Sequence, residues 1–277
     1  MFTYFITGSL GLIIGSFLNV ILFRYGTGQG LGGRSQCQNC GKMLSWLELV
    51  PVVSFIIQKR RCRGCASTIS WQYPAVELLT SLCFIGFTHA VLYLNIFKYN
   101  LTSGWGIALL LTLIVYLVCA SVLVLIAVYD LHHKIIPDEW VFILTGLGAL
   151  LPLVSGQGFG YIVFALLNKS LAALVLAGFF WFIWYFSKGK AMGFGDVKLA
   201  VALGFFLGLD QGIIAVVLAF WIGAVVGLSL IAVSKYKPAL AVPSINKLKS
   251  QIPFAPFLVL GTILALVFDL HFLTMFF

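Results

Sequence analysis

Long apolar runs separated by short polar connections dominate this chain. Eight of them read as candidate membrane spans, near Thr3–Phe23, Pro74–Phe97, Trp105–Tyr129, Glu139–Leu153, Leu171–Phe186, Val197–Leu209, Gly212–Val233 and Phe254–Phe277. The fourth and sixth are short, and the stretch Gly156–Asn168 can extend either neighbouring span. Sustained runs of this kind predict helices, because a barrel strand would show about ten residues of alternating character. The first run, "TYFITGSLGLIIGSFLNVILF", has no basic stretch before it and is long enough to span. It therefore reads as a retained helix and not a cleaved leader.

Composition sharpens this picture. The chain is 61% hydrophobic and 9% charged, with a mean hydropathy of +1.08, whereas a soluble domain carries about 25% charged residues. The fold class is an all-α polytopic membrane protein. A net charge of +9 by itself suggests a nucleic-acid partner, but in a membrane chain the positions of the charges matter more than their sum. With eight spans, 15 of the 17 Lys and Arg residues fall on one side, Lys98 and Lys169 being the exceptions. Basic residues mark cytoplasmic loops, so both termini are expected outside, and lipid, not nucleic acid, is the expected partner of the charge.

The largest polar segment, roughly Arg24–Tyr73, holds "CQNC" (Cys37, Cys40) and "CRGC" (Cys62, Cys65), with 21 residues between the pairs. Each Cys-x-x-Cys makes a tight knuckle, and two knuckles complete a tetrahedral zinc site. Gly41 and Gly64 are expected to supply backbone freedom at the two knuckles. The alternative is a pair of redox motifs, but neither pair opens a helix in a thioredoxin-like pattern. Four cysteines leave no open coordination position, so the metal would be structural. Cys83 and Cys119 lie in apolar spans and read as packing residues.

The chain has eight acidic residues. Glu48 is expected in solvent within the cysteine loop, Asp210 in an outer turn, and Asp269 near the outer end of the last span. Asp138 and Glu139 open the fourth span, where acids complement the helix dipole. Glu77, in the first turn of the second span, reads the same way, with a substrate or cofactor contact as its alternative. Asp130 is different, because it ends the third span, where a negative charge opposes the dipole. Asp196, in "MGFGDVKLA", follows Gly193 and Gly195 and precedes an apolar helix. It reads either as an N-cap or as a carboxylate brought close to a partner segment. Both aspartates sit at the cytoplasmic edge, 66 positions apart in sequence.

Two carboxylates at one depth suggest an aspartyl dyad sharing one proton. His132 and His133 read as interfacial residues. Lys198 is expected to anchor the interface or meet a polar group of a substrate. No zincin motif or nucleophile elbow is present. An ion or proton transporter using intramembrane aspartates is the competing reading, and a zinc-organised scaffold without chemistry is a third.

The segments "GSFLNVILFR" (Gly15–Arg24), "CQNC", "CRGC", "YPAVELLT" (Tyr73–Thr80), "DLHHKIIPD" (Asp130–Asp138) and "GFGDVKLA" (Gly193–Ala200) follow one another in an order that resembles bacterial prepilin peptidases. These type IV leader peptidases are GxGD membrane aspartyl proteases. The resemblance implies cleavage of the basic leader of type IV prepilins or type II secretion pseudopilins, at the cytoplasmic face of the inner membrane. It also implies N-methylation of the new terminus from S-adenosylmethionine. By motif position, Asp130 and Asp196 would be the catalytic pair, and Cys37, Cys40, Cys62 and Cys65 the zinc ligands. No motif marks the methyl-donor site, which is expected near the zinc loop. The expected organisation is a first transmembrane helix at 1–23, a cytoplasmic four-cysteine zinc-binding domain at 24–73 and a membrane-embedded peptidase core at 74–277.

Overall fold

A computed structural model describes residues 1–28, 30, 32–93, 106–236 and 253–270. Lys98, Lys237, Lys247 and Lys249, and the outer parts of the second, third and eighth expected spans, lie outside the described residues. Two compact units divide the chain, Met1–Val128 and Tyr129–Phe277.

In the first unit, α1 (Phe2–Arg24) packs along α3 (Gln72–Tyr93). A stripe of small residues makes this possible. A Cβ on Gly11 would stand 2.6 Å from Ser81 Cα, and one on Gly15 would stand 2.7 Å from Glu77 Cα. Without side chains there, the two backbones touch, which is how helices associate where lipid supplies no hydrophobic drive. Polar groups pin the contact. The Ser81 hydroxyl donates to the Gly8 carbonyl at 2.8 Å, and the Asn19 amide donates to the carbonyls of Gly15 and Tyr73. Between these helices lie the cysteine loop, a 3₁₀ turn (Trp46–Leu49) and the short α2 (Val53–Ile57). The next helix, α4 (Gly106–His133), is 28 residues long and runs on into the second unit.

The second unit contains α5 (Asp138–Val154), α6 (Phe159–Ser187), α7 (Phe194–Leu207), α8 (Leu209–Tyr236) and α9 (Ala255–Val267). The stretch Gly156–Asn168 belongs largely to α6, so Lys169 lies inside a helix and not in the connection expected from the sequence. This placement explains how the 14-residue α7 can sit in a bilayer. At about 1.5 Å per residue it is about 21 Å long, well short of a hydrocarbon core of about 30 Å. Its C-terminal end is completed by α6. The Lys169 ammonium donates to the Phe205 and Phe206 carbonyls at 2.8 and 2.7 Å, and the Asn168 side-chain oxygen accepts the Leu209 N–H at 3.0 Å. Non-helical backbone at membrane depth is tolerated where protein satisfies it.

Among the described residues, each of the eight apolar segments forms a helix. Among the described residues, five are long and apolar enough to cross a membrane: Phe2–Arg24, Gln72–Leu92, Gly106–His133, Phe159–Ser187 and Leu209–Ala232. The described parts of α5, α7 and α9 are 17, 14 and 13 residues long. The molecule is a multi-pass helical membrane protein.

Candidate active site and cysteine cluster

Asp130 occupies the last turn of α4 and is buried, as the dipole argument requires of a functional or compensated charge. Its compensation is another helix: the carboxylate accepts the backbone N–H of Ala255, the first residue of α9. The positive end of α9 thereby offsets the negative end of α4. Asp196 is also buried. It stands at the third position of α7, with Gly193 as the N-cap, so the N-cap reading is corrected. From there its side chain reaches back to the Gly193 N–H, the acidic half of a capping box. The two carboxylates are near enough to act coulombically on one another. A Cβ at Gly195 would approach three side-chain carbons of Ile136 to 3.3 Å, so glycine there lets this turn close against the α4–α5 connection.

The surroundings set the α7 entrance in place. Lys198 pairs with Asp138 at 2.7 Å and lies 5.5 Å above the Phe194 ring, joining the first turns of α7 and α5. Tyr129 stacks on His133 with centroids 4.1 Å apart and meets Trp140 edge-on at 5.2 Å. His132 and His133 are exposed.

The four cysteines of the loop converge. Their sulfurs lie within 4.8 Å of one another, and Cys37 and Cys65 are 3.9 Å apart. Tetrahedral zinc with Zn–S bonds of about 2.3 Å requires sulfurs about 3.8 Å apart, so the set fits that ion. Each knuckle is the same small hairpin. Gly41 N–H donates to Cys37 O and Ala66 N–H to Cys62 O. Cys37 N–H donates to Lys42 O and Cys62 N–H to Ser67 O, all four at 2.9 Å. The Gln36–Met43 and Arg61–Thr68 bridges close the hairpins. The left-handed positions are Gly41 (φ 69°) and Ala66 (φ 55°), so in the second knuckle it is Ala66, not Gly64, that carries the strained turn. Hydrogen bonds from the Ser67 hydroxyl, the Ser67 backbone and Asn39 pull the Cys65 thiol down to about 6. Cys83 and Cys119 are buried in helices, as their apolar settings predict.

Two glutamates depart from the sequence expectation. Glu48 is buried, not solvated. Its Oε2 accepts the Ser45 N–H at 2.8 Å and the Ser45 hydroxyl at 3.0 Å. The Ser45 backbone bond, with the charges of Lys42 and Arg63, holds its carboxyl below the ordinary value. Glu77 is also buried, and its role is not that of a dipole partner. It accepts the Val52 N–H at 2.7 Å and the Ser16 hydroxyl. Val52 has φ 60° and ψ −47°, and Val53 N–H reaches back to Pro51 O at 2.6 Å, a strained γ-turn for a β-branched residue. The Ser45-x-x-Glu48 spacing was a readable capping-box signal. Glu77, Asn168 and Lys169 gave no local signal, because their partners are distant in sequence.

Residues 9–91 match the bacterial peptidase A24 N-terminal domain, and residues 117–228 match the type IV leader peptidase family. The second match contains both aspartates. A prepilin leader peptidase/N-methyltransferase of Aeromonas salmonicida (strain A449) is 32% identical over 84% of this chain and 71% of its own length. The chain belongs to the type IV leader peptidase family. Proteins of the same description from Myxococcus xanthus (strain DK1622) and Bacillus subtilis (strain 168) are 34% and 29% identical, over 64% and 91% of their own lengths. No solved structure matches the chain.

Proposed function

We propose that this protein is a prepilin leader peptidase of the bacterial inner membrane. It cleaves the basic leader of type IV prepilins or type II secretion pseudopilins at the cytoplasmic face, and then N-methylates the new terminus from S-adenosylmethionine. The observation that carries this reading is the pair of buried carboxylates, Asp130 at the C-terminal turn of α4 against the N-terminus of α9 and Asp196 in the first turn of α7, each within the charge field of the other. Like charges so placed share a proton. The ionised aspartate takes a proton from the attacking water while the protonated one polarises the scissile carbonyl. The roles then reverse as the amine leaves, and neither side chain becomes covalently attached.

The positive-inside distribution supports a topology with both termini periplasmic and the dyad at the inner edge. A basic leader would be held by the anionic inner leaflet while its apolar helix lies in the bilayer. Cys37, Cys40, Cys62 and Cys65 would hold a structural zinc that clamps the two knuckles together. Nothing observed favours the transporter reading.

Asp130→Asn and Asp196→Asn test the dyad. Each variant, purified with its zinc content intact, is expected to lose prepilin cleavage by at least about 10³-fold, since removing one member of an acid–base pair forfeits its catalysis. Wild-type processing by either variant would remove that aspartate from the mechanism.

A further inference from the structure

Two segments distant in sequence carry Asp130 and Asp196, and a closed ring of contacts joins them. Asp130 lies in the last turn of α4, where the Lys134 N–H donates to its carbonyl at 2.8 Å and Lys134 takes φ 55°. That left-handed turn leads to Ile136, a buried side chain that lies against Gly195. Asp138 then opens α5. Its carboxylate accepts the Lys198 ammonium at 2.7 Å, and Lys198 stands two residues beyond Asp196 in α7. Resting on the dyad reading above, we infer that Lys198 and Asp138 are a positioning pair. They set the distance between the Asp130 and Asp196 carboxylates through the backbone of residues 131–137 on one side and of Val197 on the other.

The lysine is held in one direction. Its own helix does not favour it, since it belongs to the N-terminal half of α7, whereas Asp138, at the first position of α5, complements the dipole there. Its ammonium lies 5.5 Å from the Phe194 ring, and the Trp184 ring of α6 backs Phe194 with centroids 5.1 Å apart. The two rings aim the charge at α5.

Holding the fold together is not the work of this pair. The two side chains are 38% and 54% exposed, and exposed ion pairs contribute little to stability. The closest approach of α5 to α7 lies at the other end of α7, where a Cβ on Gly148 would stand 2.7 Å from the Phe205 carbonyl carbon. Opening the ion pair therefore leaves the helices packed, while the entrance of α7, with Asp196, shifts about the Ile136–Gly195 contact. A misplacement of about 1 Å can cost a reaction about 10²-fold.

The test uses the full-length protein in lipid nanodiscs, with prepilin cleavage measured over a range of substrate concentrations. Lys198→Met and Asp138→Asn should each lower kcat at least about tenfold and leave KM within about twofold of wild type. Melting temperatures should stay within about 4 °C of wild type. Lys198→Arg, which keeps the charge, should recover most of the rate. The reversed pair, Lys198→Asp with Asp138→Lys, puts opposite charges across the same gap and should exceed either reversal alone by at least about tenfold. Gly178→Ala, at an exposed position of α6 where an added methyl group meets nothing within 4 Å, should cleave as wild type. Full kcat in Lys198→Met and Asp138→Asn, with Asp130→Asn and Asp196→Asn inactive, would remove the positioning role and leave the dyad standing. A raised KM at unchanged kcat would make the pair a substrate contact, and a lower melting temperature with no recovery in the reversed pair would make it structural; either result overturns the inference. No cleavage by wild type, or full cleavage by Asp130→Asn or Asp196→Asn, would sink the dyad reading and the positioning pair with it.

Discussion

Replacing Gly204 by alanine should impair leader cleavage even though alanine is the better helix former. Gly204 lies in α7, eight residues beyond Asp196, and is buried where α7 crosses α6. A methyl group there would stand 2.5 Å from Ala173 Cα and 2.8 Å from the Ala172 carbonyl carbon. Carbon atoms in contact rest about 3.5–4.0 Å apart, so the helices must separate by about 1 Å. Propensity alone favours alanine by about 1 kcal/mol. Overpacking costs about 1–3 kcal/mol, and the upper end applies because the obstacle is helix backbone and not a flexible side chain. The net expectation is a loss of about 1–2 kcal/mol in stability. The larger effect is on rate. A shift of about 1 Å in the helix that carries Asp196, the proposed catalytic group, can cost about 10²-fold. Thermal unfolding and initial rates of prepilin cleavage, measured beside Gly178→Ala, check both parts. A Gly204→Ala protein that melts above wild type and cleaves at full rate would refute the claim that close α6–α7 approach positions Asp196.

Lys169→Met should destabilise the second unit by about 2–4 kcal/mol in denaturant unfolding, because it strips two charge-assisted bonds from the Phe205 and Phe206 carbonyls while relieving one partly buried charge. Ala66→Gly should tighten the cysteine loop by about 1 kcal/mol, since Ala66 holds φ 55°, and should raise the chelator concentration needed to remove zinc; Gly41→Ala should lower it. In zinc-free protein, iodoacetamide should label Cys65 before Cys40 at pH 7, with Cys65 half-reactive near its value of about 6. The sign of the accompanying stability change follows from the lowered value. The contribution is complete above the ordinary thiol value of 9.0 and is lost as pH falls to about 6, so the zinc-free loop should unfold more readily at pH 6 than at pH 9.

What could be read from the sequence divides by the range of the interaction. The cysteine cluster was legible because each knuckle is made within a few residues and the spacing of the thiols encodes it. The helices were legible because lipid solvation writes hydropathy along each segment independently. Asn168 and Lys169 were misplaced for the converse reason. Read alone, an Asn-Lys pair in an apolar run looks like a connection, and only the open carbonyls and N–H at the α7–α8 turn explain why α6 carries it. Glu48 shows the boundary within one residue. Its bond to Ser45 is local and follows a known spacing, whereas no local pattern announces its burial. The proposed dyad follows the same rule. Each aspartate was conspicuous alone, Asp130 because it opposes its own helix dipole and Asp196 because two glycines precede it. The group that makes Asp130 tolerable is the N–H of Ala255, far along the chain, and no local pattern near Asp130 announces it. A charge that its own helix disfavours therefore marks, in sequence, a place where another helix must arrive, without saying which one.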